Sequence, residues 1–264
     1  MTAGRPVPLG DALREARRVA FPSGEFVGQE SFVTARQILT LARHGGIGGD
    51  SRVLDLCCGV AGPGLLLVRE HQCSYTGVDA DAGSIAVARR RALSAGLEAD
   101  FEVARVPPVP DGRFDVVLLL ETLLAFRDKH PLLREVASAL DTGGRFLFTV
   151  EEGASLSDSE RERMPGSDTV WPITLADLES TLGDVGLRTV WQEDWTRAHQ
   201  DVARALAASY ASLLATMPPG RERDEVAALV DSHRLWAEWL GPGRIRKFAV
   251  VAERGDAAGA DRDV

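Results

Sequence analysis

Seven short β-like runs alternate with helical stretches from Arg52 to the end of the chain. They read SRVLDLCC, SYTGVDA, FEVARV, FDVVLLLE, GRFLFTVEE, LRTVWQED and KFAVVAER. This alternation is typical of βαβ units, whose strands pair in parallel. Several of the runs are apolar nearly throughout, as strands covered on both faces must be. The pattern therefore predicts an α/β fold with a doubly wound, mostly parallel, seven-stranded sheet.

Helices are predicted between the strands from the spacing of apolar residues. This spacing occurs over residues 81–95 and over residues 129–140, where Thr142-Gly143-Gly144 stops the helix before the next strand. Thr174, with Asp177 three residues on, has the pattern of an N-cap that opens a further helix.

Two helical regions lie outside the alternation. Residues 28–44 form a helical prelude, and residues 196–240 read as two helices broken at Pro218-Pro219-Gly220. The second region is inserted between the last two strands, where it is a natural lid over the sheet edge that binds ligands in open α/β folds. The predicted division is a prelude (1–50), an α/β core (51–195), a helical substrate lid (196–246), a final strand (247–255) and a disordered tail (256–264).

Composition limits the classes of partner. The 39 acidic and 30 basic residues give a net charge of -9, which repels nucleic acid and anionic lipid surfaces. No run is apolar enough to span a membrane, and the N-terminus lacks a secretory apolar core, so we expect a cytoplasmic protein. Cys57, Cys58 and Cys73 lack the spacing of metal ligands or disulfide pairs and are interpreted as reduced packing residues, with no metal site.

The stretch VLDLCCGVAGPG (residues 53–64) runs from a strand into a glycine-rich turn and a helix. Glycines there let the backbone approach a ligand at the helix N-terminus. No Lys or Arg occurs in residues 53–68, and Asp55 ends the strand, which favours a cationic ligand over a phosphate. Cys57 at the first glycine position of a dinucleotide motif also counts against NAD. Asp79 ends the second strand, where a carboxylate either binds both ribose hydroxyls or caps the next helix.

These residues resemble the class I S-adenosylmethionine-dependent methyltransferase superfamily, particularly its small-molecule branch. The matching segments, in the expected order, are VLDLCCGVAGPG, GVDAD, PVPDGRFDVVLLLE and LLREVASALDTGGRFLFT. The segment GEFVGQESF in the prelude also looks like the part that folds over the methionine end of the cofactor. The resemblance implies the Rossmann-like methyltransferase fold, with S-adenosylmethionine as cofactor and S-adenosylhomocysteine as product.

The resemblance also implies roles for individual residues. Asp55 borders the methionine moiety, Asp79 holds the ribose and Leu120 lies beside the reactive methyl. The family often has glycine where Cys57 and Ala61 stand. It also has a Gly-Asp pair after the third strand where this chain has Glu102-Val103-Ala104-Arg105, so main-chain groups are expected to substitute at the adenine. The full set of expected cofactor-binding residues is Gln29, Asp55, Cys57, Gly59, Asp79, Ala80, Ala104, Arg105 and Leu120.

Candidate catalytic residues come from strand ends and the lid. Methyl transfer mainly requires proximity and orientation, plus a base if the nucleophile carries a proton. Glu121 closes the fourth strand, and His199 follows the sixth strand and is the first candidate base. Glu151 and Glu152 either contact the acceptor or form a solvated loop pair. The residues expected to contact substrate are Trp171, Trp195, Tyr210, His233 and Trp236.

The predicted function is methyl transfer to O, N or C of a small apolar or aromatic acceptor, in a monomer or homodimer. The Ala-, Arg- and Gly-rich composition is associated with bacterial natural-product tailoring, such as antibiotic biosynthesis. A cyclase or isomerase that keeps the cofactor as a scaffold is the alternative, because function depends on the site rather than the fold. A non-catalytic partner subunit and an NAD-dependent dehydrogenase are the remaining readings, and Asp55 speaks against both.

Overall fold

The computed structural model describes residues 8–164 and 170–255, so the predicted tail (256–264) and the first seven residues lie outside the described residues. Seven strands of the described part form one sheet. They are β1 (Arg52–Leu56), β2 (Ser74–Asp79), β3 (Asp100–Val103), β4 (Phe114–Leu119), β5 (Leu140–Glu152), β6 (Leu187–Asp194) and β7 (Arg246–Arg254). The strand order is β3-β2-β1-β4-β5-β7-β6, and only β7 runs antiparallel to its neighbours among these strands. This confirms the predicted doubly wound, mostly parallel sheet.

Helices cover both faces of the sheet. The α-helices of the described part are α1 (Leu9–Ala20), α2 (Ala35–Gly45), α3 (Gly62–His71), α4 (Ala82–Ala95), α5 (His130–Ala139), α6 (Asp158–Glu162), α7 (Leu175–Asp184), α8 (Thr196–Thr216) and α9 (Arg221–Leu240). None of them combines the length and apolarity needed to cross a membrane.

Alternate residues of the central strands belong to different hydrophobic clusters. Val116 and Leu118 of β4 pack in the cluster that contains α2, α3 and α4, whereas Val117 and Leu119 pack against α5 and α7. Successive side chains of a strand point to opposite faces, so an apolar run is required when both faces are covered. This explains why the central strands read as continuous apolar segments in the sequence.

Side-chain caps fix where several helices begin. Thr34 accepts from the Gln37 N–H in a reciprocal capping box at the start of α2. Asp81 accepts from the backbone of Gly83 and Ser84 at the start of α4, and the Thr174 side chain accepts from the Asp177 N–H at the start of α7. The predicted N-cap at Thr174 is therefore confirmed, and α4 is capped by Asp81 rather than by Asp79.

Two predicted boundaries were wrong. The prelude is helical only from Ala35, since Gly28 has φ of 86° and the chain between them follows turns. Strand β5 begins at Leu140, so Thr142-Gly143-Gly144 lies within the strand instead of before it.

The helical insertion between β6 and β7 is confirmed as two long helices, α8 and α9. Sequence reasoning missed α1, which packs with them around Phe21, Leu206, Tyr210 and Val230 in a cluster separate from the two sheet faces. The N-terminal segment and the insertion therefore form one helical layer.

Candidate functional site

A cavity of about 660 Å³ opens at the carboxyl ends of β1, β2 and β4. This is the sheet edge where open α/β folds bind ligands. All nine residues predicted to bind a cofactor contribute to its lining. They are Gln29, Asp55, Cys57, Gly59, Asp79, Ala80, Ala104, Arg105 and Leu120. We call it the first cavity.

The turn between β1 and α3 forms the floor of the first cavity. Cys57, Gly59 and Ala61 have φ values of 58°, 54° and 57°, so all three occupy the left-handed region. That region costs a non-glycine residue about 1–2 kcal/mol, so the two substitutions for glycine carry real strain. Cys57 and Ala61 therefore keep the turn of the glycine motif despite their side chains.

Two carboxylates face each other across this turn. Asp79 accepts hydrogen bonds from Gly59 N–H at 2.8 Å and Asp81 N–H at 2.9 Å, one on each oxygen. Because each carboxylate oxygen accepts two bonds, both keep capacity for a ligand hydroxyl. Asp55 is buried and accepts from the Tyr75 hydroxyl at 2.6 Å.

Burial dominates the electrostatics of Asp55. Loss of solvation raises the pKa of Asp55 to about 7, the Tyr75 hydrogen bond opposes this, and the nearby charge of Asp79 adds to it. Burial and the same two aspartates raise the pKa of the Cys57 thiol to about 12. The first cavity therefore disfavours additional negative charge close to β1 and favours a cation.

The segment from Val27 to Ser31, here called the cover loop, packs on the glycine-rich turn. A Cβ on Gly62 would lie 2.8 Å from Gln29 N and 2.9 Å from Val27 O. Arg17 donates to the carbonyl oxygens of Gln29, Glu30 and Ser31. The cover loop is thus fixed between α1 and the floor of the first cavity.

Gln29 lines the first cavity but serves the cover loop. Its amide nitrogen donates to Glu25 O at 3.0 Å and Val33 O at 2.8 Å, and its amide oxygen accepts from Val27 N at 2.7 Å. Both amide hydrogens are therefore engaged. In this conformation Gln29 has no amide hydrogen left to donate to a cofactor.

A second cavity of about 330 Å³ adjoins the first. The two share Glu30, Ser31 and Glu121 in their linings. Apolar and aromatic side chains form much of the second lining. They are Phe32, Leu124, Val170, Leu229, Trp236 and Leu240.

A buried polar cluster closes the second cavity at the sheet. Lys247 Nζ lies 2.5 Å from Glu121 Oε1 and also pairs with Glu151 Oε1, and His199 Nε2 lies 3.3 Å from Glu121 Oε1. We call these four residues the charge cluster. Glu151 and Lys247 are direct cross-strand partners in the antiparallel β5–β7 pair, which places their side chains on one face.

Opposing effects set the charge of Glu121. Burial alone raises the pKa of Glu121, but the charges of Lys247 and His199 and their hydrogen bonds hold it well below its ordinary value. Burial likewise lowers the pKa of Lys247, and the two carboxylates more than reverse this. Glu121 is therefore ionised at the junction of the two cavities.

The backbone of Glu121 is itself strained, with φ of 58°. Thr149 holds it in place, since the Thr149 hydroxyl accepts from Glu121 N–H at 2.7 Å and donates to Glu121 Oε1 at 3.2 Å. Left-handed non-glycine residues concentrate at functional sites because the surrounding structure must enforce them.

Four of the seven predicted catalytic and substrate residues line the second cavity: Glu121, His199, His233 and Trp236. The structure brings Glu121 and His199 into hydrogen-bonding contact. The other three contribute nothing to either lining, so their predicted contact with substrate is not supported. These are Trp171, Trp195 and Tyr210.

Each of these three residues has a structural role instead. The Trp171 ring lies under the guanidinium of Arg161, 3.9 Å away. Trp195 precedes α8, and its carbonyl oxygen lies 3.1 Å from His199 Nδ1, so it orients that imidazole. Tyr210 is buried behind the cavity, where its hydroxyl accepts from Arg17 at 3.0 Å.

Sequence reasoning missed Lys247 and did not decide between two roles for Glu151. Lys247 is 1% exposed and Glu151 is 4% exposed, so the first is not a surface lysine and the second is not a solvated loop residue. The neighbouring pair Glu152 and Arg246 lies on the opposite face and is more exposed. The one sequence signal for Lys247 was its position directly before the apolar run FAVV.

Comparison with known proteins identifies related chains. Residues 53–144 match the family model described as a methyltransferase domain. The chain is 29% identical over 164 residues to 27-O-demethylrifamycin SV methyltransferase of Amycolatopsis mediterranei, covering 56% of this chain and 60% of that one. It is 26% identical to ajmaline N-methyltransferase of Rauvolfia serpentina, covering 55% of each. These matches span less than two thirds of the curated relatives.

Solved structures with the same fold cover nearly the whole chain. Coclaurine N-methyltransferase bound to N-methylheliamine and S-adenosylhomocysteine superposes with a TM-score of 0.74 at 15% identity, covering 93% of this chain and 84% of that one. The cyclase SpnF superposes with a TM-score of 0.73 at 19% identity, covering 96% and 99%. At these identities the similarity concerns the fold.

Proposed function

Because the chain belongs to the class I S-adenosylmethionine-dependent methyltransferase superfamily, we propose that it transfers a methyl group from S-adenosylmethionine to O, N or C of a small organic acceptor. The observation that carries the proposal is the pair of adjoining cavities that share Glu121. One is lined by the predicted cofactor residues, and the other is lined by aromatic side chains and the charge cluster. Two reactants in such cavities meet beside Glu121.

The lining of the first cavity fits the proposed cofactor. Asp79 has free acceptor capacity for ribose hydroxyls, and Ala80 and Ala104 leave space for the flat adenine. Asp55 favours a neighbouring cation, which agrees with the ammonium and sulfonium of S-adenosylmethionine. When bound, the cofactor supplies an electrophilic methyl group on its sulfonium.

Glu121 and His199 act on the acceptor side of this reaction. His199 Nδ1 faces the carbonyl oxygen of Trp195, which only accepts, and Nε2 faces the Glu121 carboxylate. Contacts at both ring nitrogens fix the orientation of the imidazole, so we assign His199 to the positioning of Glu121, in place of the role of base predicted from the sequence. Glu121 then holds a fixed negative charge where the two cavities meet, and because its pKa is lowered it orients the acceptor and does not act as a strong base.

The acceptor we propose is an apolar or aromatic natural-product intermediate. The aromatic lining around Phe32 and Trp236 supports this, as does the sequence similarity to a methyltransferase of a rifamycin derivative. We further propose that residues 1–50 cover the cofactor and residues 196–246 serve as a lid for the substrate.

Calorimetry with S-adenosylhomocysteine tests the cofactor site. We expect binding to the wild-type chain and an affinity about 10–100-fold lower for Asp79→Asn, since hydrogen bonds to a charged acceptor contribute roughly 1.5–3 kcal/mol. Asp81→Asn is the matched control, because Asp81 lies two residues on, caps α4 and does not line the cavity. Absence of binding at millimolar S-adenosylhomocysteine would refute the proposal.

A cyclase or isomerase that uses the cofactor as a scaffold is the second candidate. The chain shares its fold with the cyclase SpnF over 96% of its length, and this similarity supports the second candidate. The two readings differ in one measurement once an acceptor is found. A methyltransferase forms product only with S-adenosylmethionine, whereas a scaffold-dependent enzyme continues to turn over when S-adenosylhomocysteine replaces it.

A further inference from the structure

The charge cluster contains a buried acceptor atom with no partner. Glu151 is 4% exposed; its Oε1 pairs with Lys247, and its Oε2 has no hydrogen-bond partner among the described residues. Glu151 also lines the second cavity. A buried polar atom without a partner is costly, so native proteins rarely leave one unless something else satisfies it.

The other members of the charge cluster do not satisfy this atom. Glu121 receives Thr149, His199 and Lys247 on Oε1 and the Phe32 N–H on Oε2. Each carboxylate oxygen of Glu121 therefore has at least one protein donor. Glu151 Oε2 is the carboxylate oxygen of this cluster that has no protein donor among the described residues, so a molecule in the cavity can supply one.

The chemistry of this open oxygen indicates what it can bind. Glu121 and Glu151 share the ammonium of Lys247, and the His199 imidazole also contacts Glu121, whereas Glu151 Oε2 receives nothing. An anion placed against Glu151 Oε2 would meet an acceptor-only oxygen. A hydrogen-bond donor would satisfy that oxygen, and a cationic donor would form the stronger, charge-assisted bond.

A second unpartnered atom lies where the two cavities adjoin. Ser31 Oγ is buried without a hydrogen-bond partner among the described residues, and Ser31 lines both cavities. Other residues of the second cavity form an apolar and aromatic wall. Phe32 packs edge-to-face on Trp236, with ring centroids 6.4 Å apart, and Leu124 and Leu240 continue this wall.

We propose that the acceptor is an amphipathic molecule whose apolar or aromatic body packs on Phe32 and Trp236 and whose hydrogen-bond donor, an amine or a hydroxyl group, binds Glu151 Oε2. The inference rests on the proposed function and specifies the substrate class. Acceptors that would present a carboxylate or a phosphate to Glu151 are selected against. Glu151 is a specificity-determining residue, because it recognises the polar group that enters with the acceptor.

Three probes with one shared aromatic body test this recognition. Naphthylethylamine, naphthylethanol and naphthylacetate are titrated into the wild-type chain saturated with S-adenosylhomocysteine. We expect the amine or the alcohol to bind at least about tenfold more tightly than the carboxylate, since a hydrogen bond to a charged group contributes roughly 1.5–3 kcal/mol. Equal or tighter binding of naphthylacetate would overturn the inference.

Glu151→Gln separates the two donor classes. Glutamine keeps an acceptor oxygen and loses the charge, so affinity for the amine falls about tenfold or more if a cation is recognised, and affinity for the alcohol changes little. Glu152→Gln is the matched control, because Glu152 is the next residue, pairs with Arg246 on the opposite face and lines neither cavity. Equal effects of the two variants on the preferred probe overturn the role of Glu151.

Binding of S-adenosylhomocysteine is measured first in every sample. Its absence from the wild-type chain contradicts the proposed function itself. If S-adenosylhomocysteine binds while the amine and the alcohol both fail to bind, the inference fails and the proposed function stands. If Glu151→Gln no longer binds S-adenosylhomocysteine, the ranking of the three probes on the wild-type chain decides.

Discussion

Replacing Lys247 with methionine is the sharpest test of the charge cluster. Methionine retains most of the apolar stem of lysine and removes the ammonium. Lys247 is 1% exposed and contacts both Glu121 and Glu151, so Lys247→Met leaves the buried Glu151 and the largely buried Glu121 without their shared cation. Breaking a buried ion pair by removing one partner costs about 3–5 kcal/mol.

That loss is a large part of the stability of an ordinary domain, which is about 5–15 kcal/mol. Urea unfolding at pH 7.5 is the assay, with the free energy of unfolding taken from the linear extrapolation. Arg246→Met is the matched control. Arg246 precedes Lys247 and pairs with Glu152 on the opposite face, where a half-exposed ion pair contributes about 0–1 kcal/mol.

The difference between Lys247→Met and the wild type depends on pH. In the wild type the pKa of Glu121 lies below its ordinary value of 4.5, so its contribution to stability is present above that value and is lost as the pH falls through the lowered value. In the variant, His199 opposes the effect of burial without the help of Lys247, so the pKa of Glu121 is higher than in the wild type and the folded variant loses less stability in acid. The destabilisation is therefore greatest at neutral pH and shrinks as the pH falls toward 4.5.

Two results would refute this reasoning. The first is a free energy of unfolding for Lys247→Met that equals the wild-type value at pH 7.5. The second is a destabilisation that stays constant between pH 7.5 and pH 5. The double variant Glu151→Gln with Lys247→Met is the internal check, because removing one carboxylate together with the cation should recover roughly half of the loss if the residues are coupled.

Two further predictions concern the first cavity. The pKa of Asp55 is raised to about 7, so the free energy of unfolding of the wild type falls as the pH rises from the ordinary pKa of 3.8 to about 7. In urea unfolding, Asp55→Asn should therefore gain roughly 3 kcal/mol in stability relative to the wild type between pH 5 and pH 8. A stability difference that does not change with pH would contradict the raised pKa of Asp55. Gly62→Ala places a Cβ within 2.9 Å of the cover loop backbone, so we expect it to weaken the binding of S-adenosylhomocysteine measured by calorimetry. Gly183→Ala is the control and should leave this binding unchanged, because no atom lies within 4 Å of the added Cβ.

The local parts of this molecule could be predicted from sequence because local rules determine them. The apolar runs of β1 and β4 follow from burial on both faces, and the cap at Thr174 follows from a side chain that satisfies one of the first backbone donors of α7. The first cavity is built mainly from strand ends and turns adjacent to them, so residues such as Asp79 and Ala104 could be placed by motif and order.

The second cavity could not be predicted in the same way, because its residues meet through long-range pairing. Glu151 and Lys247 come together only through the register of the antiparallel β5–β7 pair, and a shift of one residue would exchange them with Glu152 and Arg246. The Trp171 ring packs with the guanidinium groups of Arg127 and Arg161 and contributes to neither cavity lining, which its position in the sequence did not indicate.

The second cavity takes charged residues from the central sheet and part of its apolar lining from helix α9. Glu121, Glu151 and Lys247 lie on or directly after strands of the central sheet, where the backbone is held by neighbouring strands. Trp236 and Leu240 belong to α9, which enters the chain as an insertion between β6 and β7. The polar requirement therefore depends on the central sheet, because the β5–β7 pairing holds Glu151 and Lys247 and the Thr149 side chain of β5 holds Glu121. The apolar wall depends on a helix whose side chains can change size without disturbing the sheet, so the shape of the acceptor body is the more adjustable part of recognition, and the hydrogen-bond donor is the fixed part.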